Sequence, residues 1–201
     1  MKTFKNSRYL ILVLTLLSAC GGGGGGGNSE PPTSQELVDL WRDLDDRIDA
    51  APDFSAMNLP TSGGVRYAGP LQIVTSNPTI EMWGQMHLDM NFSNDEVTGG
   101  AQNFRKNDDT LLEGSLTLIP DQLIRSEFTP LTATFADARL TEPGVTYDIE
   151  RLGITGRFYG TTGELMTGIV SGDVVWDNTP ASINDGITLD AGGDYILERE
   201  D

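Results

Sequence analysis

Cysteine is nearly absent from this 201-residue sequence: Cys20 is the only one, and histidine is as scarce, with His87 alone. A single cysteine excludes an internal disulfide, so stability has to come from packing. One imidazole and one thiol are also too few for a metal site built from clustered ligands. Basic residues are few, 13 against 30 acidic, for a formal net charge of −17. A surface of that sign repels nucleic acid and anionic lipid head groups, and both are poor partners for it. Long apolar runs are missing too. The stretch Tyr9 to Leu17 covers nine residues, where a bilayer-spanning helix needs about 20.

That short stretch follows Lys2, Lys5 and Arg8 and runs into Leu17-Ser18-Ala19-Cys20. A basic flank, a short apolar core and small residues before a cut have the layout of a secretory signal over residues 1–19. A cysteine directly after the small pair is the pattern of a bacterial lipobox. The lone Cys20 is thereby expected to carry lipid through a thioether. Removing residues 1–19 takes all three leader cations and leaves 182 residues with 10 basic and 30 acidic side chains, a net charge of −20. Gly21 to Gly27, followed by Asn28-Ser29-Glu30-Pro31-Pro32, reads as a tether over 20–32. A Gly-rich chain of that length spans about 20 Å. Gly21 is not the aspartate that commonly retains lipoproteins at the inner membrane, so the expectation is a lipid-anchored outer-membrane protein, displayed at the cell surface or on the periplasmic face.

One helix is expected over 33–50. Thr33 and Glu36 form a capping box, and Pro31-Pro32 stops the helix from running backward. Leu37, Leu40, Trp41, Leu44 and Ile48 recur at helical spacing to give one apolar stripe. From residue 60 to 201 the period falls to two. Met82, Gly84, Met86, Leu88, Met90 and Phe92 share one face of a strand. Met166, Gly168, Val170, Gly172, Val174 and Trp176 share the face of another, as do Ile187, Leu189, Ala191, Gly193, Tyr195 and Leu197. Shorter alternations at 112–118, 131–135 and 154–158, with Val65–Gly69 and Val97–Phe104, bring the expected number to eight. Turn residues separate them at 93–95, 106–109, 142–144, 160–163 and 184–186, and no helical pattern intervenes. The fold class that follows is all-β: an eight-stranded antiparallel up-and-down barrel preceded by one N-terminal α-helix, its interior filled by alternating glycines and large side chains. A membrane-spanning barrel would show an apolar outer band with aromatic girdles. The alternate positions here are Thr, Asp, Glu, Gln and Arg.

Several strands resemble the barrel of transferrin-binding protein B and its relatives. That family's opening Gly-x-x-Tyr-x-Gly strand is matched by Gly64-Val65-Arg66-Tyr67-Ala68-Gly69, and its Leu-x-x-x-Phe core by Leu88 to Phe92. Val97-Thr98-Gly99 and Gly156-Arg157-Phe158-Tyr159-Gly160 are similar to later segments. The resemblance covers roughly residues 60–198 and one barrel. It implies a surface lipoprotein that binds a protein or a haem- or iron-related nutrient. It carries over no binding residue, because ligand contacts in the family lie in variable loops, and a shared fold does not give a shared ligand.

No Ser-His-Asp or Cys-His arrangement has recognisable spacing, and the acidic turns at 94–96 and 107–109 lack the alternating ligands of a calcium loop. The chain therefore reads as a non-enzymatic binding module with no cofactor and no metal. His87, between Gln85 and Asp89, falls on the polar side of its strand. Trp83, Tyr159, Arg66 and Arg157 fall on the outward phase of theirs. Trp, Tyr and Arg are the types enriched at interface hot spots, and these four are the candidate binding residues. Two alternatives stand beside that reading. The N-terminal helix covers these side chains, or the chain is a periplasm-facing accessory lipoprotein that docks an envelope protein.

Overall fold

Alternation of apolar and polar residues fixes which side of each strand is dry, and the observed burial follows that phase closely. The computed structural model describes residues 30–76, 78–125, 131–177 and 187–200. The leader, Cys20, the tether up to residue 29 and the turn at 184–186 lie outside the described residues. The chain divides into two units, Met1–Pro31 and Pro32–Asp201, and all that follows concerns the second.

Helix α1 spans Ser34–Asp49. The Thr33 side chain accepts from the Glu36 N–H at 3.2 Å, and the Glu36 carboxylate accepts from the Thr33 N–H at 2.8 Å, so both halves of the capping box form. No helix among the described residues is long and apolar enough to cross a membrane.

Among the described residues eleven strands make one antiparallel sheet: β1 (Asp53–Phe54), β2 (Gly64–Thr75), β3 (Glu81–Asn91), β4 (Glu96–Lys106), β5 (Ser115–Thr117), β6 (Asp121–Gln122), β7 (Leu131–Thr134), β8 (Ala138–Glu142), β9 (Val145–Tyr159), β10 (Leu165–Asp177) and β11 (Ile187–Glu200). A short 3-10 turn, Ala56–Asn58, follows β1. The strand path runs β1-β9-β10-β11-β2-β3-β4-β5, with β6 on β4 and both β7 and β8 on β9. The eight expected strands are present, and β1, β6 and β8 are additional. Two of the extra strands are two residues long, too short for alternation to register.

The ladder is continuous from β9 through β11 and β2 to β5. Between its ends it is replaced by single bridges, Glu113↔Thr141 and Leu118↔Phe135. The expected barrel is thus observed as a curved sheet whose two ends meet at isolated hydrogen bonds, such as Ala136 N–H to Thr117 O at 2.8 Å, without a full closing ladder.

Inward residues form one core. Met82, Met86, Leu88, Phe104, Ile154 and Tyr195 are all buried in it. The inward glycines make room for its larger members. A Cβ on Gly156 would sit 2.0 Å from the Tyr195 hydroxyl, and one on Gly84 would sit 2.6 Å from the Phe104 ring. Arg151, at φ 53°, takes the left-handed conformation where the β9–β10 register shifts between Ser171 and Asp173. That is a β-bulge, which bends the strand and raises its twist.

Arg125 holds one end of the sheet. Its guanidinium donates to Leu59 O at 2.9 Å, to Pro60 O at 2.7 Å and to the Asp95 carboxylate at 2.7 Å. The segment before β2, the β3–β4 turn and the segment after β6 are thereby tied at one cation.

Candidate functional site

The apolar stripe of α1 lands on Leu165 of β10 and Ile196 of β11, and the helix runs on over β2 and β3. Leu44 and Ile48 pack on Leu165 and Ile196, with Trp41, Ala51 and Tyr159 around them. Arg47 donates to the Glu198 carboxylate on β11, with Nη1–Oε2 at 3.0 Å. At the other end of the helix, Arg105 donates from Nε to Pro32 O at 2.8 Å, and the Ser34 N–H donates to Asp109 Oδ1 at 2.8 Å. The helix is thus pinned at both ends and along its stripe.

That docking corrects the reading of Trp83. It does lie on the outward phase of β3, but α1 packs against β2, β3 and β11, and Trp83 is only 5% exposed. Its indole N–H donates to Glu81 at 2.8 Å. A side chain so enclosed presents no surface to a partner. Tyr159 is half-buried at the edge of the helix contact. The signal that α1 covers this wall was in the sequence, in its Leu-Trp-Leu-Ile stripe; what the sequence did not carry was which strands it lands on.

Arg66 is exposed but engaged. It makes a forked pair with Asp89, at 2.7 and 2.9 Å, and the guanidinium holds the Asp89 carboxyl below its usual range. His87 Nε2 lies 3.9 Å from the same carboxylate. Among the described residues no group of three or more His, Cys, Asp or Glu is placed to hold a metal. Gln72 faces Trp83 and Arg66 faces Asp89 in the β2–β3 register, so Trp83 and Arg66 stand six ladder positions apart, about 20 Å at 3.3 Å per residue. The four candidates do not make one patch.

Two of them do come together. Arg157 and Tyr159, with Thr155, Thr167, Ile169 and Asp194, bound a shallow hollow of about 360 Å³ on the part of the wall that α1 leaves open. Eight of the ten described Lys and Arg side chains sit in ion pairs with carboxylates. Arg199 donates to Thr162. Arg157 is exposed and has no charged or hydrogen-bonded partner among the described residues. Beside it Ile169 is 57% exposed. Sequence reasoning passed over Ile169, although it is an apolar residue on the polar phase of β10, between Thr167 and Ser171.

An uncovered cation beside an uncovered isoleucine and a tyrosine gives a place where a carboxylate and an apolar side chain can be seated together. Comparison with known proteins adds little to this. No family model and no curated protein matches the sequence. The sheet has a counterpart among solved structures. It is similar to transferrin-binding protein B, a vaccine antigen of Haemophilus parasuis, seen in a crystal structure of a single-residue mutant, with 15% identity and a TM-score of 0.42. The match covers 73% of this chain and 28% of that one. The likeness touches the family that the strand motifs resemble, without showing membership of it, and carries neither ligand nor site across.

Proposed function

We propose that this chain is a lipid-anchored, non-enzymatic binding module of the outer membrane that presents the open wall of β9–β11 to a protein partner. The observation that carries this reading is Arg157, an exposed cation with no charged or hydrogen-bonded partner among the described residues, next to exposed Ile169 and half-buried Tyr159. Arg and Tyr with an apolar neighbour are what interface hot spots are made of. A protein surface offering a carboxylate beside an apolar side chain fits the hollow better than haem, since His87 lies on β3, away from this wall. The lipobox and the absence of aspartate after Cys20 support a lipid anchor in the outer membrane, and the glycine tether supports a domain held clear of the lipid, on the cell surface in this reading.

The test is protease digestion of intact cells against permeabilised cells, with the protein followed by blot. Cleavage in intact cells supports capture of an external partner. Protection until permeabilisation overturns surface display and moves the partner to the periplasm.

A further inference from the structure

The two ends of α1 sit at opposite ends of the sheet. Its first turn lies at the β4–β5 turn, where the Ser34 N–H donates to Asp109 Oδ1 at 2.8 Å and Arg105 Nε donates to Pro32 O at 2.8 Å. Its last turn lies at the β9–β10 turn, where Ile48 packs with Leu165 and Ile196 beside Tyr159. The register shows how far apart these turns are. β4 ends at Lys106, opposite Met82, at the end of the sheet where β2 finishes. Leu165 pairs with Tyr159 and with Glu198, and Glu198 faces Ala68 near the beginning of β2. A helix of 16 residues is about 24 Å long at 1.5 Å per residue. The Pro32 clamp and the hollow beside Arg157 and Tyr159 therefore stand at the two ends of a rod of that length.

Arg105 is only 7% exposed, and an arginine is seldom so buried unless it is paired. Its Nη1 also donates to Asp109 O at 2.9 Å and faces the Asp109 carboxylate at 3.7 Å. Pro32, the first turn of α1 and the β4–β5 turn are thus joined at one enclosed cation. We propose that α1, clamped at Pro32 by Arg105, is a strut that holds the Arg157 hollow on the side of the domain away from the lipid anchor, with Arg105 as the positioning residue. The inference rests on the reading that Cys20 carries lipid and that the hollow docks a partner. Residues 20–31 number twelve, with glycine from Gly21 to Gly27, and a Gly-rich chain of that length spans about 20 Å. That reach is shorter than the rod, so turning the domain over to bring the hollow to the lipid would stretch the chain past its mean span. An acid-rich surface adds no attraction to an anionic bilayer that would repay the stretching. The partner then meets the hollow from the solvent side.

The test uses the full mature lipoprotein in vesicles that carry an acceptor dye on the lipid head group. A donor dye is placed on Asn107→Cys, in the β4–β5 turn, or on Thr161→Cys, in the β9–β10 turn. Both positions are exposed, and Cys20, the one native cysteine, is blocked by lipid on this reading. Energy transfer is expected to be severalfold stronger from position 107 than from position 161. Arg105→Met releases Pro32 and should narrow that difference, with thermal melts showing that the variant is folded. Doubling the glycine run before Asn28 leaves the sheet domain untouched and should narrow it as well, which carries the test if Arg105→Met does not fold. Failure of the chain to float with the vesicles would overturn the lipid anchor and the strut together. Flotation with equal transfer from both positions, or stronger transfer from position 161, overturns the strut alone. A difference unchanged in folded Arg105→Met overturns the role of Arg105.

Discussion

Glu164 shows how much a single side chain can fix locally. Its carboxylate accepts from the Thr161 N–H at 3.2 Å, the Thr162 N–H at 2.8 Å and the Thr162 hydroxyl at 2.9 Å, closing the β9–β10 turn. The backbone N–H of Thr162 is the main reason its pKa falls from 4.5 to about 2. A carboxyl whose folded pKa is depressed gives stability that is fully present above its unfolded pKa and lost as the pH falls through the folded value. Glu164 thus stabilises the fold above about pH 4.5 and stops doing so by about pH 2. The site is solvent-accessible, which discounts the effect to about 1 kcal/mol. Glu164→Gln is expected to cost that amount at pH 7 in urea denaturation, and the gap to wild type should close as the pH is taken down through the window. A gap of constant size would show that the turn does not depend on the charge. Gly156 is a second such residue. A methyl there would lie 2.0 Å from the Tyr195 hydroxyl and 2.9 Å from Met166, and the hydroxyl would have to give up its 3.1 Å bond to Thr155 O. Gly156→Ala should cost about 1–3 kcal/mol by overpacking. Tyr195→Phe in the same chain removes the clashing oxygen and should return about 1 kcal/mol, a coupling that a double-mutant cycle reads directly. Additive effects of the two changes would mean that the backbone, not the hydroxyl, absorbs the methyl.

At the scale of elements, α1 behaves as a cover stitched to the sheet. Leu44 is 1% exposed against Leu165 and Ile196. Leu44→Ala is expected to destabilise the fold by about 2–5 kcal/mol. Leu44→Asp goes further, because a carboxylate cannot stay in that contact; the helix should lift and uncover Trp83. Red-shifted tryptophan emission with stronger acrylamide quenching is the expected reading, and unchanged quenching would show that Trp83 is shielded by the sheet alone. The same element marks the boundary of what was legible in the sequence. The inward sets of β3 and β10, and that of β11 from Leu189 on, followed from period-two patterning, and α1 from its capping box and stripe, because those signals are local; Ile187, on the same phase at the start of β11, is 54% exposed. Strand lengths were less legible. β2 runs to Thr75 through Pro70, whose missing N–H breaks the pattern without ending the strand, and β9 runs from Val145 through a bulge at Arg151 that shifts its phase and hides its first half from a period-two pattern. How the sheet's ends meet was not legible at all, since single bridges leave no periodic trace. The candidate site divides in the same way. Arg157 and Tyr159 were readable from strand phase. Trp83 was misread, because what hides it is a helix more than thirty residues earlier in the chain.

For the whole molecule the deciding quantity is charge. Residues 20–201 carry 10 basic against 30 acidic side chains, and eight of the ten cations that the structure describes are spent in ion pairs. A body of that sign has no electrostatic attraction to an anionic bilayer; each basic residue near such a surface contributes about 1 kcal/mol of binding, and each acidic one opposes it. No helix among the described residues can span a membrane, and the exposed apolar side chains are scattered, from Met57 to Ile169 and Ile187. On the proposed reading, attachment rests on lipid at Cys20, where each buried methylene would add about 0.8 kcal/mol and stable anchoring takes more than one chain. Cys20→Ala removes every one of those methylenes at once and leaves the folded unit untouched. The variant is expected in the soluble fraction of lysed cells, at low as well as high salt, while the wild type stays in the membrane pellet until detergent is added. Recovery of Cys20→Ala in the pellet at low salt, with release at high salt, would reveal a cationic contact surface beyond Arg157. Recovery in the pellet at both would mean that part of the sheet itself enters the bilayer, and the outer wall would then have to be read as a lipid-facing surface.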